Sequence, residues 1–197
     1  MQIIGVTGGI GAGKTTVSAI LKEMGAEVID ADHISRKVTQ PGEPAWKEII
    51  DYFGQEVVLP DETIDRKKLA SMVFNSEERR RKLEAIIHAR VIHEMEKRIS
   101  TLREAGYDGI VVLDVPIPVR RGFLDIVDAV WVVVCPEEER IRRIMARSGM
   151  DRAEAESRIR SQLPQEEYIR LADAVIENNG DLETLRQKIA GLLSGYI

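Results

Sequence analysis

Residues 8–15, Gly8-Gly9-Ile10-Gly11-Ala12-Gly13-Lys14-Thr15, satisfy the pattern G-x-x-x-x-G-K-[ST] in full. A short apolar run, Ile3-Ile4-Gly5-Val6, leads into it, and an amphipathic segment carrying Val17, Ile20, Leu21 and Met24 leads out. The motif has mechanical meaning in that setting alone: a strand ends, the backbone wraps an anion, and a helix begins. Its glycines let successive N–H groups converge on a polyphosphate. The helix that follows adds unpaired N–H groups and the positive end of its dipole. Residues Gly9, Ile10, Gly11, Ala12, Gly13, Lys14, Thr15 and Thr16 are therefore expected to line a nucleoside triphosphate. Lys14 would reach the β- and γ-phosphates, and the Thr15 hydroxyl would help hold Mg²⁺.

Five short segments, 2–6, 27–29, 109–113, 129–134 and 174–176, are rich in Val and Ile and lack clean polar alternation. That is the pattern of parallel strands covered on both faces. Helical patterns between them predict crossovers, and so a doubly wound α/β sheet with its site at the strand ends. A chain of 197 residues suits one domain. The expected organisation is a single domain over 1–197, with a core from 1–34 and 108–197 and a helical lobe inserted over 35–107. Residues 30–108 separate the second and third strands, far more than one crossover helix needs. They open on the turn Gln40-Pro41-Gly42-Glu43-Pro44 and continue with amphipathic patterns over 46–53, around 67–74 and from 77 to about 103. Such a lobe offers a wall for an acceptor substrate. A charged helical stretch, about 137–171, carries Arg140, Arg142, Arg143, Arg147, Arg152, Arg158 and Arg160. Most of these suit a solvated helix face. Arg143 and Arg147, one turn apart on one face, are the candidates for cations over a transferred phosphoryl group. Residues 182–193 read as a closing helix.

Asp114 closes the third apolar run, where a carboxylate commonly supports Mg²⁺. It also suits a plain turn before Pro116. Asp30 and Asp32 follow the second run, and they point the same way if the strand extends that far. One of them could accept a proton from a substrate hydroxyl, and a helix N-cap is equally compatible with the pattern. His33, His88 and His93 show no metal-ligand spacing, so Mg²⁺ with the nucleotide is the metal expected. A net charge of −5 argues against a general nucleic-acid binder. Cys135 is the only cysteine and lies in an apolar run, which suits a buried thiol and a reducing compartment. Neither a leader pattern nor an uncharged run of membrane-spanning length is present, and a cytoplasmic location is expected. The guanine-reading string N-K-x-D is absent. The closest approach to an LSGGQ segment, Leu193-Ser194-Gly195, stands at the extreme C-terminus. A small-molecule kinase is favoured, with a nucleotide-binding regulatory protein as the alternative.

Over nearly its whole length the chain resembles the dephospho-coenzyme A kinase family, in which the P-loop NTPase-type five-stranded core carries an inserted substrate lobe and an Arg-rich lid. The resemblance rests on Thr7-Gly8-Gly9-Ile10-Gly11 within the phosphate loop, on Ile29-Asp30-Ala31-Asp32 and Arg36, and on Asp65-Arg66-Lys67-Lys68-Leu69. Asp114-Val115-Pro116, Arg147, Gln162, Ala172-Asp173 and Ile176-Glu177-Asn178-Asn179-Gly180 follow in family order. The chain reads His88-Ala89 where the family usually has His-Pro, and Ile117-Pro118-Val119-Arg120 where it has L-L-F-E. The resemblance implies transfer of the ATP γ-phosphate, with Mg²⁺, to the ribose 3′-hydroxyl of dephospho-coenzyme A. It implies Asp32 as base, Asn178 beside the adenine, and acceptor contacts from Asp32, Arg36, Arg66, His88 and Asp114. A phosphotransferase acting on another small hydroxyl acceptor is the neighbouring reading.

Overall fold

Val and Ile crowd the strands β1 (Gln2–Thr7), β2 (Glu27–Asp30), β3 (Ile110–Asp114), β4 (Ala129–Val134) and β5 (Ala174–Glu177) of the computed structural model, which describes residues 1–74 and 76–195. All pairings between them are parallel, in the order β2-β3-β1-β4-β5. Parallel neighbours require crossovers: helix α1 (Lys14–Glu23) runs from β1 to β2, and helices α2 (Ala31–Val38), α3 (Pro44–Phe53), α4 (Arg66–Phe74) and α5 (Glu77–Glu104) stand between β2 and β3. Helices α6 (Glu137–Ser148), α7 (Arg152–Arg160) and α8 (Gln165–Arg170) stand between β4 and β5, and α9 (Leu182–Leu193) follows β5. Every residue of β4 is buried, as its unbroken apolar sequence requires.

The chain forms two compact units, Met1–Asp30 with the chain from Leu102 onward, and Ala31–Thr101. The sequence pattern placed the insertion at 35–107. No loop marks either junction: β2 passes directly into α2 at Ala31, and α5 runs on past residue 101.

In the first unit α1 and α9 share one face of the sheet. Val17, Ile20 and Leu21 of α1 and Leu185, Ile189 and Leu193 of α9 join Ile4, Val6, Val112, Trp131 and Ile176 in a single core. Burying each large side chain contributes about 1.5–3 kcal/mol, so this contact holds α1 against the sheet. The stretch expected as one helical run over 137–171 is three helices. Gly149, in the left-handed region at φ 68°, ends α6. Asp151 then starts α7 through a capping box in which it accepts the Glu154 N–H and the Glu154 carboxylate accepts the Asp151 N–H. Pro164 precedes α8. Ile141, Ile144, Ala155 and Ile159 close a small core between α6 and α7.

The second unit is built on α2, α3, α4 and most of α5. Pro44 occupies the first turn of α3, where its missing N–H costs nothing. Trp46 Nε1 donates to the Glu62 carbonyl at 2.8 Å, tying α3 to the bridge between Val58 and Ile64. An ion pair between Arg90 and Glu48 joins α5 to α3. Among the described residues no helix is long and apolar enough to cross a membrane.

Candidate active site

β1 is the central strand, and the loop at residues 8–13 leaves its carboxyl end for α1. Open α/β sheets place ligands in that region. Gly13 shows why the loop needs glycine there. It sits at φ 98°, and a Cβ on it would lie 2.0 Å from Asn178 Nδ2. The approach is close because Asn178, 7% exposed, donates that amide to the Ala12 carbonyl at 2.8 Å. Arg143 completes the brace, donating to the Ala12 carbonyl at 3.3 Å and the Asn178 carbonyl at 3.1 Å. Its Nε is held by Glu139 at 3.1 Å. Hydrogen bonding from Arg142, then the charges of both arginines, pulls the Glu139 carboxyl below its usual range and keeps it ionised.

Lys14 Nζ donates to the Gly8 carbonyl at 2.8 Å, so its ammonium folds back over the loop it belongs to. In the first turn of α1 the Thr16 N–H donates to the Gly13 carbonyl at 3.1 Å, while the N–H groups ahead of it precede any intrahelical acceptor. Thr15 and Thr16 in that turn are exposed.

β3 lies beside β1 with Asp114 in register with Val6, and β2 lies beside β3 with Asp30 in register with Asp114. Neighbours in register on parallel strands project to the same face, so Asp30 and Asp114 belong together. Asp114 accepts the Ser18 hydroxyl at 2.7 Å, one helical turn beyond Lys14. Among the described residues no group of three or more His, Cys, Asp or Glu side chains could hold a metal. Mg²⁺ carried by a nucleotide does not need such a group: it keeps several waters and takes one or two protein oxygens. The hard oxygens of Asp114 and Thr15 suit it chemically.

Asp32 does not share a strand with Asp30. β2 ends at Asp30, and Asp32 stands exposed in the first turn of α2, where an acid complements the helix dipole. The condition for two carboxylates on one strand face is not met. Asp32, Arg36, Arg66 and His88 all belong to the second unit, and all are exposed. Arg66 Nη2 donates to Thr39 Oγ1 at 3.3 Å, which brings it to the end of α2 that carries Arg36.

Arg147 is exposed on α6, unlike the braced Arg143. Arg120 is also exposed, in a π turn at Arg120–Leu124 in which the Asp125 carboxylate accepts the Gly122 N–H. Cys135 is 2% exposed, and burial pushes its thiol up, so it is protonated and shielded.

Ser18, Arg140 and Gln162 contact loop or site groups that sequence reasoning did not connect to them. Ser18 carries a legible signal, since it follows Lys14 by four residues and so faces the same side of α1.

Comparison with known proteins places this geometry among relatives. A family model described as dephospho-CoA kinase matches residues 2–184. A dephospho-CoA kinase of Carboxydothermus hydrogenoformans is 46% identical over 196 residues, covering 100% of this chain and 95% of its own. The solved dephospho-CoA kinase of Campylobacter jejuni superposes with a TM-score of 0.71 at 26% identity, covering 98% of this chain and 96% of that one. A shikimate kinase from Acinetobacter baumannii shares the fold, with a TM-score of 0.57 at 22% identity over 100% of this chain and 94% of that one.

Proposed function

The chain belongs to the dephospho-CoA kinase family, and from that premise we propose that it transfers the γ-phosphate of ATP to the ribose 3′-hydroxyl of dephospho-coenzyme A, giving coenzyme A. The observation that carries the reading is the complete phosphate loop on the central strand, with Asp114 at the end of the strand beside it.

Phosphoryl transfer passes through a loose transition state, so positioning and charge do most of the catalytic work. The α1 N-terminus and the loop amides hold the β- and γ-phosphates, and Lys14 moves its ammonium from the Gly8 carbonyl onto them. Thr15 and Asp114 would hold Mg²⁺, which when bound would supply charge neutralisation to the phosphate oxygens. Asp32 orients the acceptor hydroxyl and takes its proton as the new P–O bond forms. Arg36, Arg66 and His88 hold the acceptor, whose diphosphate needs cations and hydrogen-bond donors.

Arg143 and Arg147 divide the work of the lid. Arg143 keeps Asn178 and Ala12 in place at the loop base, while Arg147 covers the transferred group. A lysine at either position lacks the planar fork. Arg147→Lys is expected to slow the single-turnover rate by about tenfold or more while leaving acceptor binding near wild type. Wild-type single-turnover rates in both Arg143→Lys and Arg147→Lys would return the stretch to an ordinary solvated face.

Arg120 occupies a position where the family usually has an acid, and here it is exposed. Arg120→Glu is expected to change the Michaelis constant for the acceptor and to leave ATP affinity unaltered. Constancy of both acceptor parameters would place Arg120 outside the acceptor site.

An acceptor panel tests the function. ATP consumption is followed with dephospho-coenzyme A, adenosine, shikimate or no acceptor. The proposal requires turnover with dephospho-coenzyme A to exceed every control. Equal ATP loss in all arms would reduce the chain to a nucleotide hydrolase or binder.

A further inference from the structure

Ile10, at the tip of the phosphate loop, is held from both sides by residues outside the loop. Its N–H donates to Gln162 Oε1 at 2.7 Å, just beyond α7. Its carbonyl accepts from Arg140 Nε at 2.9 Å, in the first turn of α6. Its side chain packs on the small core between those two helices.

Arg140 is an unusual group to find there. It is 5% exposed, and burial pushes its guanidinium down, with the Glu137 charge opposing that effect. Among the described residues no ion pair joins it to a carboxylate. A buried cation without a carboxylate partner is costly, so its retention calls for a task. Its guanidinium lies directly against the loop: a Cβ on Gly9 would stand 2.5 Å from Arg140 Nη2.

Peptide planarity gives the contacts a directional consequence. In a trans peptide the C=O and the following N–H point opposite ways. Drawing the Ile10 carbonyl toward Arg140 therefore turns the Gly11 N–H away from α6. Drawing the Ile10 N–H toward Gln162 turns the Gly9 carbonyl the other way, and that carbonyl accepts the Ala12 N–H at 3.2 Å to close the loop. Two side chains thus set two successive peptide planes of the phosphate cradle.

We propose that Arg140 and Gln162 are positioning residues for the phosphate loop, which clamp Ile10 between them and make ATP affinity depend on helices α6 and α7. Arg140 also places a positive charge behind the loop, where it favours a bound polyphosphate without touching it. The inference rests on the reading that this loop binds ATP, so its test includes a nucleotide-free arm.

The test compares wild type, Arg140→Met, Gln162→Met and the double variant. Hydrogen exchange across residues 8–16 is measured on the nucleotide-free protein, alongside calorimetric Kd for Mg-ATP, the Michaelis constant for the acceptor, and the melting temperature. Both single variants are expected to exchange faster in the loop and to bind ATP about tenfold more weakly, with the acceptor constant unchanged. The melting temperature of Arg140→Met should not fall, because a costly buried charge has been removed. The double variant should bind ATP little more weakly than the worse single one, because both residues act on the same hinge. Should Arg140→Met not fold, Arg140→Lys takes its place: it keeps the charge but not the guanidinium geometry, and faster loop exchange with weaker ATP binding is again required. Wild-type loop exchange or ATP Kd within twofold of wild type in the folded single variants would overturn the proposal. Fully multiplicative losses in the double variant, or stability lost with no change at the loop, would do the same. The nucleotide-free exchange reads the clamp even if ATP proves not to bind, so the two failures are distinguishable.

Discussion

Lys14→Ala is expected to fold normally and to lose turnover by a factor on the order of 10²–10³, the loss typical when one preorganised charge-stabilising donor is removed. Lys14 stands at the head of α1, whose apolar face is fixed by the core it shares with α9, so truncating a side chain outside that core leaves the helix in place. The ammonium rests on the Gly8 carbonyl at 2.8 Å, a contact that a phosphate oxygen replaces with a stronger, charge-assisted one. Charge on the bridging oxygen grows as the bond to the leaving group breaks, so the loss falls more heavily on the chemical step than on ATP binding. Circular dichroism and the melting temperature check the fold, and single-turnover kinetics check the step. Near-normal turnover in a folded variant would remove the phosphate-loop account.

The second large effect separates two carboxylates. Asp32→Asn keeps shape and hydrogen bonding but cannot take a proton, so turnover should fall by roughly 10²–10⁴, the range of general acid–base residues. Its ATP affinity and Mg²⁺ dependence should survive. Asp114→Asn should show the opposite balance, since Asp114 lies beside the loop strand and is oriented by Ser18 at 2.7 Å. Its activity should recover partly as Mg²⁺ is raised. A Mg²⁺ titration of turnover in both variants makes the comparison. Normal turnover in Asp32→Asn, or a defect cured by excess Mg²⁺, would show the base to be elsewhere, and Asp30, in register with Asp114, would be the next residue to test.

The inner strands β1, β3 and β4 were legible because burial on both faces leaves little room for polar residues. The edge strands β2 and β5, with Glu27, Asp30, Val175 and Glu177 exposed, were legible only from their short Val and Ile runs. The run at 129–134 is β4 to the residue, and the others agree within one residue at either end. The closing helix was equally clear, since Asp181 caps it by accepting the Thr184 N–H. The breaks within 137–171 were written in Gly149-Met150-Asp151 and Pro164 but were masked by continuous charge. The same charge concealed Arg140. On sequence it looks like its neighbours on a solvated helix, and its burial depends on a carbonyl 130 residues away. The Ser18–Asp114 contact spans 96 residues, and the Ile10–Gln162 contact spans 152. Local periodicity carries no information at such separations. Asp30 and Asp32 show the opposite difficulty: their spacing fits a strand or a helix start, and only the end of β2 at Asp30 decides between them.

The central claim is that the γ-phosphate of ATP arrives on one particular hydroxyl. The most direct measurement incubates the protein with Mg²⁺, γ-labelled ATP and dephospho-coenzyme A, then isolates the labelled product and assigns its new phosphate by phosphorus–proton coupling. The account predicts one labelled product per ATP consumed, with the phosphate coupled to the ribose H3′ proton and released by a 3′-nucleotidase. Label recovered only as inorganic phosphate, or on any other position of the acceptor, would contradict it.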